Sequence, residues 1–240
     1  MKEIKRFSLK KLTLPQNRHI FLLLYWLLFG LVFWSMEAMH WRDYHPVASW
    51  IDALIPFCEW FLIPYFFWFI YIIGSMAYFF FRDKSTFVKY MWYVIITYSI
   101  TLIVYMVYPT SQNLRPEIVN DSIFSKIIAG LYNFDTNTNV CPSLHVIGSF
   151  AVCFSALHCQ KLKNPVIKVS YVVVNVLICL STVFIKQHSI IDLFWGVVVS
   201  VVAYPFVFAN NKVSRFLCGL FIKCAPKSEK KLRVVTAERI

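Results

Sequence analysis

Charge is scarce in this chain. Only 15% of its 240 residues are Asp, Glu, Lys or Arg, whereas an ordinary soluble domain carries about 25%. That shortage argues against a globular protein with a charged exterior in water. Acids are the scarcer sign, 12 against 24 Lys plus Arg, which leaves a net charge of +12. Cysteine offers little: seven residues cannot all pair within one chain, and no C-x-x-C or zinc-type spacing occurs among them. Function is therefore not expected in cysteine chemistry. Internal repeats and low-complexity linkers are also missing, so we read 1–240 as one domain with basic tails at 1–18 and 210–240.

What is abundant is apolar and aromatic surface, 59% and 18% of the residues. Disordered chains lack both, so disorder is excluded. A basic excess often signals nucleic acid, but beside long uncharged runs it points to a membrane instead, and no nucleic-acid partner is expected. Six runs of 17 or more residues reach the length of a spanning helix: Ile20–Met36, Pro56–Phe81, Tyr90–Val107, Ser143–Cys159, Val169–Ile185 and Ser189–Ala209. Glu59 and Pro64 predict a tilt or kink in the second. The first run is read as a retained helix, since no small-residue cleavage site follows it. His40–Leu54 mixes aromatic and charged residues and is expected along the outer interface.

The basic residues test this layout. Six spans put the amino-terminal stretch, the second and fourth connections and the tail on one side, and these hold 20 Lys and Arg. The opposite side holds only Arg42, Arg115, Lys126 and Lys186. By the positive-inside rule the expected fold is an all-α integral membrane bundle of six transmembrane helices with both termini cytoplasmic. The tails are expected to attract anionic lipid headgroups.

Two outer cations lie beside unusual polar clusters. Arg115 follows Tyr108-Pro109-Thr110-Ser111-Gln112-Asn113-Leu114, and the same connection closes on Asn139-Val140-Cys141-Pro142-Ser143-Leu144-His145. Lys186-Gln187-His188 forms the fifth connection, with Asp192 in the first turn of the next span. Both following helices start on the outer side and point positive dipole ends and free N–H groups there. Ser143 suits the cap position. An anion between two such termini, flanked by Arg115 and Lys186, suggests a phosphoryl group. His188 and Asp192 are four residues apart and share one helix face. A carboxylate there holds one imidazole nitrogen and frees the other as nucleophile or base. His145, from another helix, is free to act as an acid. Each residue alone has an ordinary explanation, as interface anchor, snorkelling cation or solvated histidine; their joint occurrence at one face favours a site. A metal held by His145, His188 and Asp192 is the weaker alternative, because the two neighbouring cations would repel a divalent ion. No metal or cofactor is expected.

These residues resemble the type 2 phosphatidic acid phosphatase superfamily of membrane lipid phosphate phosphatases. Its motifs K-x6-R-P, P-S-G-H and S-R-x5-H-x3-D correspond here to Tyr108 with Arg115-Pro116, to Pro142-Ser143-Leu144-His145, and to Ser181-Thr182 followed by His188 and Asp192. The six-span layout matches too. The resemblance implies that His188 forms a phosphohistidine, Asp192 orients it, His145 protonates the leaving group, and Arg115 and Ser143 hold phosphate oxygens. Tyr108 and Thr182 replace two family cations, for one of which Lys186 can substitute, and Leu144 replaces a glycine. P-S-x-H with a non-glycine residue resembles the branch of inositol phosphorylceramide synthases, which pass the phosphoryl headgroup to an alcohol. The expected activity is therefore metal-independent hydrolysis of a lipid phosphate or pyrophosphate at the outer face of the cell membrane. A lipid phosphotransferase is the alternative, and a non-catalytic lipid-binding or transport protein on the same scaffold is the third reading.

Overall fold

The computed structural model describes residues 15–38, 43–118 and 122–221. Among the described residues the fold is all-α apart from one two-residue strand pair. A 3-10 stretch, Pro15–Leu23, leads into α1 (Leu24–Glu37). The short α2 (Trp50–Leu54) precedes α3 (Leu62–Arg82) and α4 (Lys84–Val107). Then come α5 (Ile123–Phe134), α6 (Leu144–His158), α7 (Pro165–Phe184), α8 (Ile190–Tyr204) and α9 (Asn211–Phe221). Among the described residues, five segments are long and apolar enough to cross a membrane: Asn17–Glu37, Glu59–Arg82, Lys84–Val107, Pro165–Phe184 and Ile190–Ala209. Such helices satisfy every backbone polar group internally, as a bilayer requires.

The distribution of side chains runs opposite to that of a soluble protein. Large apolar residues face outward, among them Leu31, Trp34, Phe81 and Val166, each more than two-thirds exposed. Small hydroxyl residues lie inside, and several donate to their own helix: Thr97 to Tyr93 O (2.8 Å), Ser149 to Val146 O (2.9 Å) and Ser200 to Gly196 O (2.7 Å). Long apolar helices with lipid-type exteriors are consistent with a multi-span membrane bundle.

The expected fourth span differs from the others. It is realised as α6, only 15 residues, or about 22 Å at 1.5 Å per residue. That is short for a lipid-facing crossing, yet α6 is the central helix, packed on α3, α4, α7 and α8. Val146 through Cys153 are buried except Phe150, so protein rather than lipid surrounds it. Its length is therefore not set by the hydrocarbon. Pro64 lies in the first turn of α3, where the missing N–H costs nothing, so it starts the helix rather than kinking it.

Two ends of the bundle are distinct. At one, His19 packs on Phe80 and Phe87, Cys159 Sγ donates to Asp83 Oδ2 at 3.5 Å, and Phe221 of α9 meets Trp92. The described parts of the four basic segments thus share an end. At the other end the long connections knit together. Strand β1 (His45–Pro46) pairs in parallel with β2 (Thr110–Ser111), and Ser111 bridges Thr138. His40 and Trp41 lie outside the described residues, while Asp43 onward belongs to this knit. Helix α5, within the long connection between the third and fourth expected spans, is amphipathic: Ile128 is fully buried beside Leu62, Tyr65 and Ile185. Glu59 Oε2 accepts from Ser122 Oγ (2.5 Å) and Ser125 Oγ (2.6 Å), tying α5 to the start of α3.

Candidate active site

The knitted end holds the candidate residues. Ser143 caps α6, its Oγ accepting from Val146 N, and its own N–H donates to Asp192 O at 3.1 Å. The first turns of α6 and α8 are therefore clamped together. Gly196 permits this approach: a Cβ there would lie 2.9 Å from Val146 Cβ and 3.2 Å from Ser143 O.

The turn between α7 and α8 is equally constrained. Thr182 O accepts from both Gln187 N and His188 N at 3.0 Å, and Lys186 adopts φ 55°. Gln112 Nε2 donates to Lys186 O (3.2 Å) and Gln187 O (3.3 Å), and Tyr132 Oη to Ile185 O (2.7 Å). His188 emerges from this turn with Nδ1 3.2 Å from Asp192 Oδ2. The same carboxylate oxygen accepts from Ser189 N at 2.9 Å, completing a capping box. Asp192 is fully buried, so its orientation of the imidazole is not diluted by water. With Nδ1 engaged, Nε2 of His188 is left for chemistry.

His145 stands across from His188, ring centroids 5.6 Å apart. Tyr65 and Trp68 flank its ring at 4.6 and 4.5 Å, and Trp68 Nε1 donates to its carbonyl at 3.1 Å. Both histidines line a cavity of about 60 Å³. Asp135, Asn139 and Gln187 add polar walls, while Phe33, Tyr105 and Leu144 form an apolar side toward α1 and α4.

The remaining candidate residues are disposed differently. Lys186 Nζ turns away to Asp52 O (2.7 Å) and Ile55 O (2.5 Å), and burial lowers its pKa against the opposing pull of Asp52. Ser143 Oγ is spent on its cap. Arg115 gives Nη1 to Tyr132 O (2.9 Å) and Nη2 to Thr136 O (2.9 Å) and Gln187 Oε1 (2.6 Å), with its guanidinium over the Tyr132 ring. Desolvation by burial lowers the Arg115 pKa, although Asp135 and Tyr132 oppose this. Its Nε is buried without an acceptor among the described residues. His145, His188 and Asp192 are thus brought together, Arg115 borders them through Gln187, and Lys186 and Ser143 serve the frame.

Sequence reasoning missed several participants. Asp52 occupies the start of α8: Ser189 Oγ donates to Oδ2 at 2.7 Å and Ile190 N to Oδ1 at 2.8 Å. Two carboxylates already satisfy that terminus, whereas at α6 the Ser143 hydroxyl accepts from Val146 N alone. Asp135, whose pKa is raised by burial and lowered again by His188 and Arg115, accepts from Tyr65 Oη at 3.3 Å. Burial pushes the Cys141 thiol up to about 12, which leaves it inert as a nucleophile. The signal for Asn139 and Gln187 was adjacency, since one opens the loop before Ser143 and the other directly precedes His188. Among the described residues, no three His, Cys, Asp or Glu side chains group to hold a metal ion. No protein-family model, curated protein sequence or solved structure matches this chain.

Proposed function

We propose that the chain is an integral membrane phosphatase that hydrolyses a lipid phosphate or pyrophosphate through a phosphohistidine on His188. The observation that carries this reading is the His188–Asp192 pair, 3.2 Å apart with the carboxylate fully buried, beside a second histidine that lines the same small cavity. A carboxylate-held imidazole is a stronger nucleophile than a free one, and a second, separate histidine provides the acid. P-S-x-H and H-x-x-x-D, which resemble the lipid phosphate phosphatases, supply the same assignment.

In the first step His188 Nε2 attacks phosphorus, the P–O bond to the lipid breaks, and the departing oxygen takes a proton from His145. In the second, water attacks the phosphohistidine, the P–N electron pair returns to Nε2, and a water proton passes to His145. Charge on the equatorial oxygens is stabilised by fixed donors, the first-turn N–H groups of α6 among them. The apolar wall of Phe33, Tyr105 and Leu144 suits the hydrocarbon side of the substrate. In this reading the bundle crosses six times, both termini are cytoplasmic, the cavity faces outward, and the basic tails meet anionic headgroups.

Rapid quench of the full-length protein with ³²P-labelled phosphatidic acid tests the reading. Acid-labile, base-stable label on protein is expected in wild type and absent in His188→Ala, with phosphate release unaffected by EDTA. Equal phosphate release from wild type and His188→Ala would remove the nucleophile; loss of activity with EDTA would point to a metal.

A further inference from the structure

Two primary amides line the cavity beside the histidines, and each has its orientation dictated by a charged neighbour. Gln187 Oε1 accepts from Arg115 Nη2 at 2.6 Å. A guanidinium only donates, so the oxygen of Gln187 must face it and Nε2 must face the other way. That Nε2 is buried with no acceptor among the described residues. Asn139 is locked in the reverse sense, its Nδ2 donating to Glu37 Oε1 at 2.5 Å. A carboxylate only accepts, so the Asn139 oxygen is the free atom, and it too is buried without a partner. The backbone of Asn139, at φ 50°, is itself in the left-handed region that only a few residue types adopt.

Buried polar atoms are almost always satisfied, so one unpaired donor and one unpaired acceptor on two residues that line one cavity call for a ligand presenting the complement of both. An unesterified phosphate offers acceptors and suits Gln187. It does not suit a carbonyl oxygen such as Asn139 Oδ1, which needs an O–H.

We infer that Gln187 donates to a phosphoryl oxygen, that Asn139 accepts from the attacking water, and that Arg115 and Glu37 are positioning residues that lock the two amides. This rests on the phosphohistidine reading above and sharpens it by choosing the acceptor. In the second step water has two O–H bonds: one proton passes to His145 as the O–P bond forms and the P–N pair returns to His188, while the other hydrogen is held by Asn139 Oδ1. An alcohol has a single O–H. Giving it to His145 leaves Asn139 unsatisfied, so the site discriminates against alcohols and favours hydrolysis over headgroup transfer.

The test uses full-length protein in detergent micelles, ³²P-labelled phosphatidic acid as donor and glycerol as competing alcohol. Label is followed into protein, inorganic phosphate and glycerol phosphate. Wild type is expected to yield mainly inorganic phosphate. Asn139→Leu should trap more protein as phosphohistidine, slow hydrolysis about ten-fold and raise the glycerol phosphate share by a similar factor, the worth of one hydrogen bond in the second step. Glu37→Gln leaves the cavity wall intact but frees the amide to flip, and should shift the partition in the same direction by less. Gln187→Leu should slow formation of labelled protein and leave the partition alone. The inference is overturned if the partition is the same in wild type, Asn139→Leu and Glu37→Gln, or if Asn139→Leu abolishes labelling, as a purely structural role would. Wild type without His188-dependent label removes the parent reading, and this inference with it, before any amide variant is compared.

Discussion

The two ends of the bundle are built from similar parts but finished differently. At the end that gathers the basic segments, polar side chains are consumed in capping. Asp83 accepts from Thr86 N (3.2 Å) and Thr86 Oγ1 (3.0 Å), Asn164 caps α7, and Lys168 Nζ donates to Leu157 O at 2.7 Å. At the opposite end caps are present too, yet Arg115 Nε, Asn139 Oδ1, Gln187 Nε2 and Asp192 Oδ1 remain buried and unpartnered among the described residues. Elsewhere such atoms are scattered over separate helices, as at Trp26, Tyr90, Ser155 and Asn175. Unpaired buried groups cost about 1–3 kcal/mol each. Asn139 and Gln187 bring two such atoms to residues that line one cavity beside two histidines, whereas Tyr90 Oη, Trp92 Nε1 and Ser155 Oγ, toward the opposite end, are spread over α4 and α6.

The sharpest way to break this contrast is to disable the site end without unfolding it. Asp192→Asn keeps the shape of the buried side chain but removes the charge that orients His188 at 3.2 Å. Phosphate release should fall by roughly 10²–10⁴-fold while thermal stability in detergent changes little. A variant as active as wild type would show that the carboxylate only caps α8.

Glycines compare the two regions next. In Gly196→Ala the new methyl meets Val146 Cβ and the Ser143 carbonyl, neither of which can yield without moving α6 from α8. A cost of about 1–3 kcal/mol is expected, together with loss of activity. At Gly74, in α3, no atom lies within 4 Å of an added Cβ. Gly74→Ala should be neutral or stabilising by up to about 1 kcal/mol through helix propensity. Matched unfolding midpoints for the two variants would remove the claim of close α6–α8 approach.

Asp52→Ala tests the frame behind the turn. It strips acceptors from Ser189 Oγ, Ile190 N and Ser49 N. Hydrogen bonds to a charged group are individually strong, so destabilisation of about 2–3 kcal/mol is expected, with activity lost in proportion to unfolding rather than beyond it.

The smallest effect concerns pH. Burial raises the Asp135 carboxyl in the folded state, so the unfolded chain ionises first, near the ordinary value of about 3.9. Stability attributable to this group is complete below that pH and is lost as pH rises through the raised folded value. Asp135→Asn should flatten the slope of the unfolding midpoint over that window. An unchanged slope would mean that the group is no more protonated when folded than when unfolded.

Much of the architecture was legible in the chain because it depends on short-range pattern. Apolar run length marks a helix that satisfies its own backbone, and the uneven distribution of Lys and Arg marks which connections share an end. The exception, α6, shows the limit of that logic: a 15-residue helix enclosed by four others answers to packing and not to bilayer thickness. Helix α5 was hidden because its apolar stripe is only one face of 12 residues, too short to stand out in a hydropathy reading.

The site divides in the same way. His188 and Asp192 lie one helical turn apart, so local geometry alone brings them together, and Ser143 as the cap of α6 follows from its place before a helix. Lys186 could not be placed from sequence, because a long flexible side chain goes where its hydrogen bonds are, here to carbonyls more than 130 residues away. The amide orientations are the extreme case. An Asn or Gln is as able to donate as to accept until a partner chooses, and the choosing partners of Gln187 and Asn139 lie 72 and 102 residues distant in the chain. The sequence determined the membrane class, the helices and the histidine–aspartate pair, since these depend on neighbours within a few turns. Which polar atoms remain unclaimed was decided only by the tertiary structure, since it depends on what distant residues have already taken.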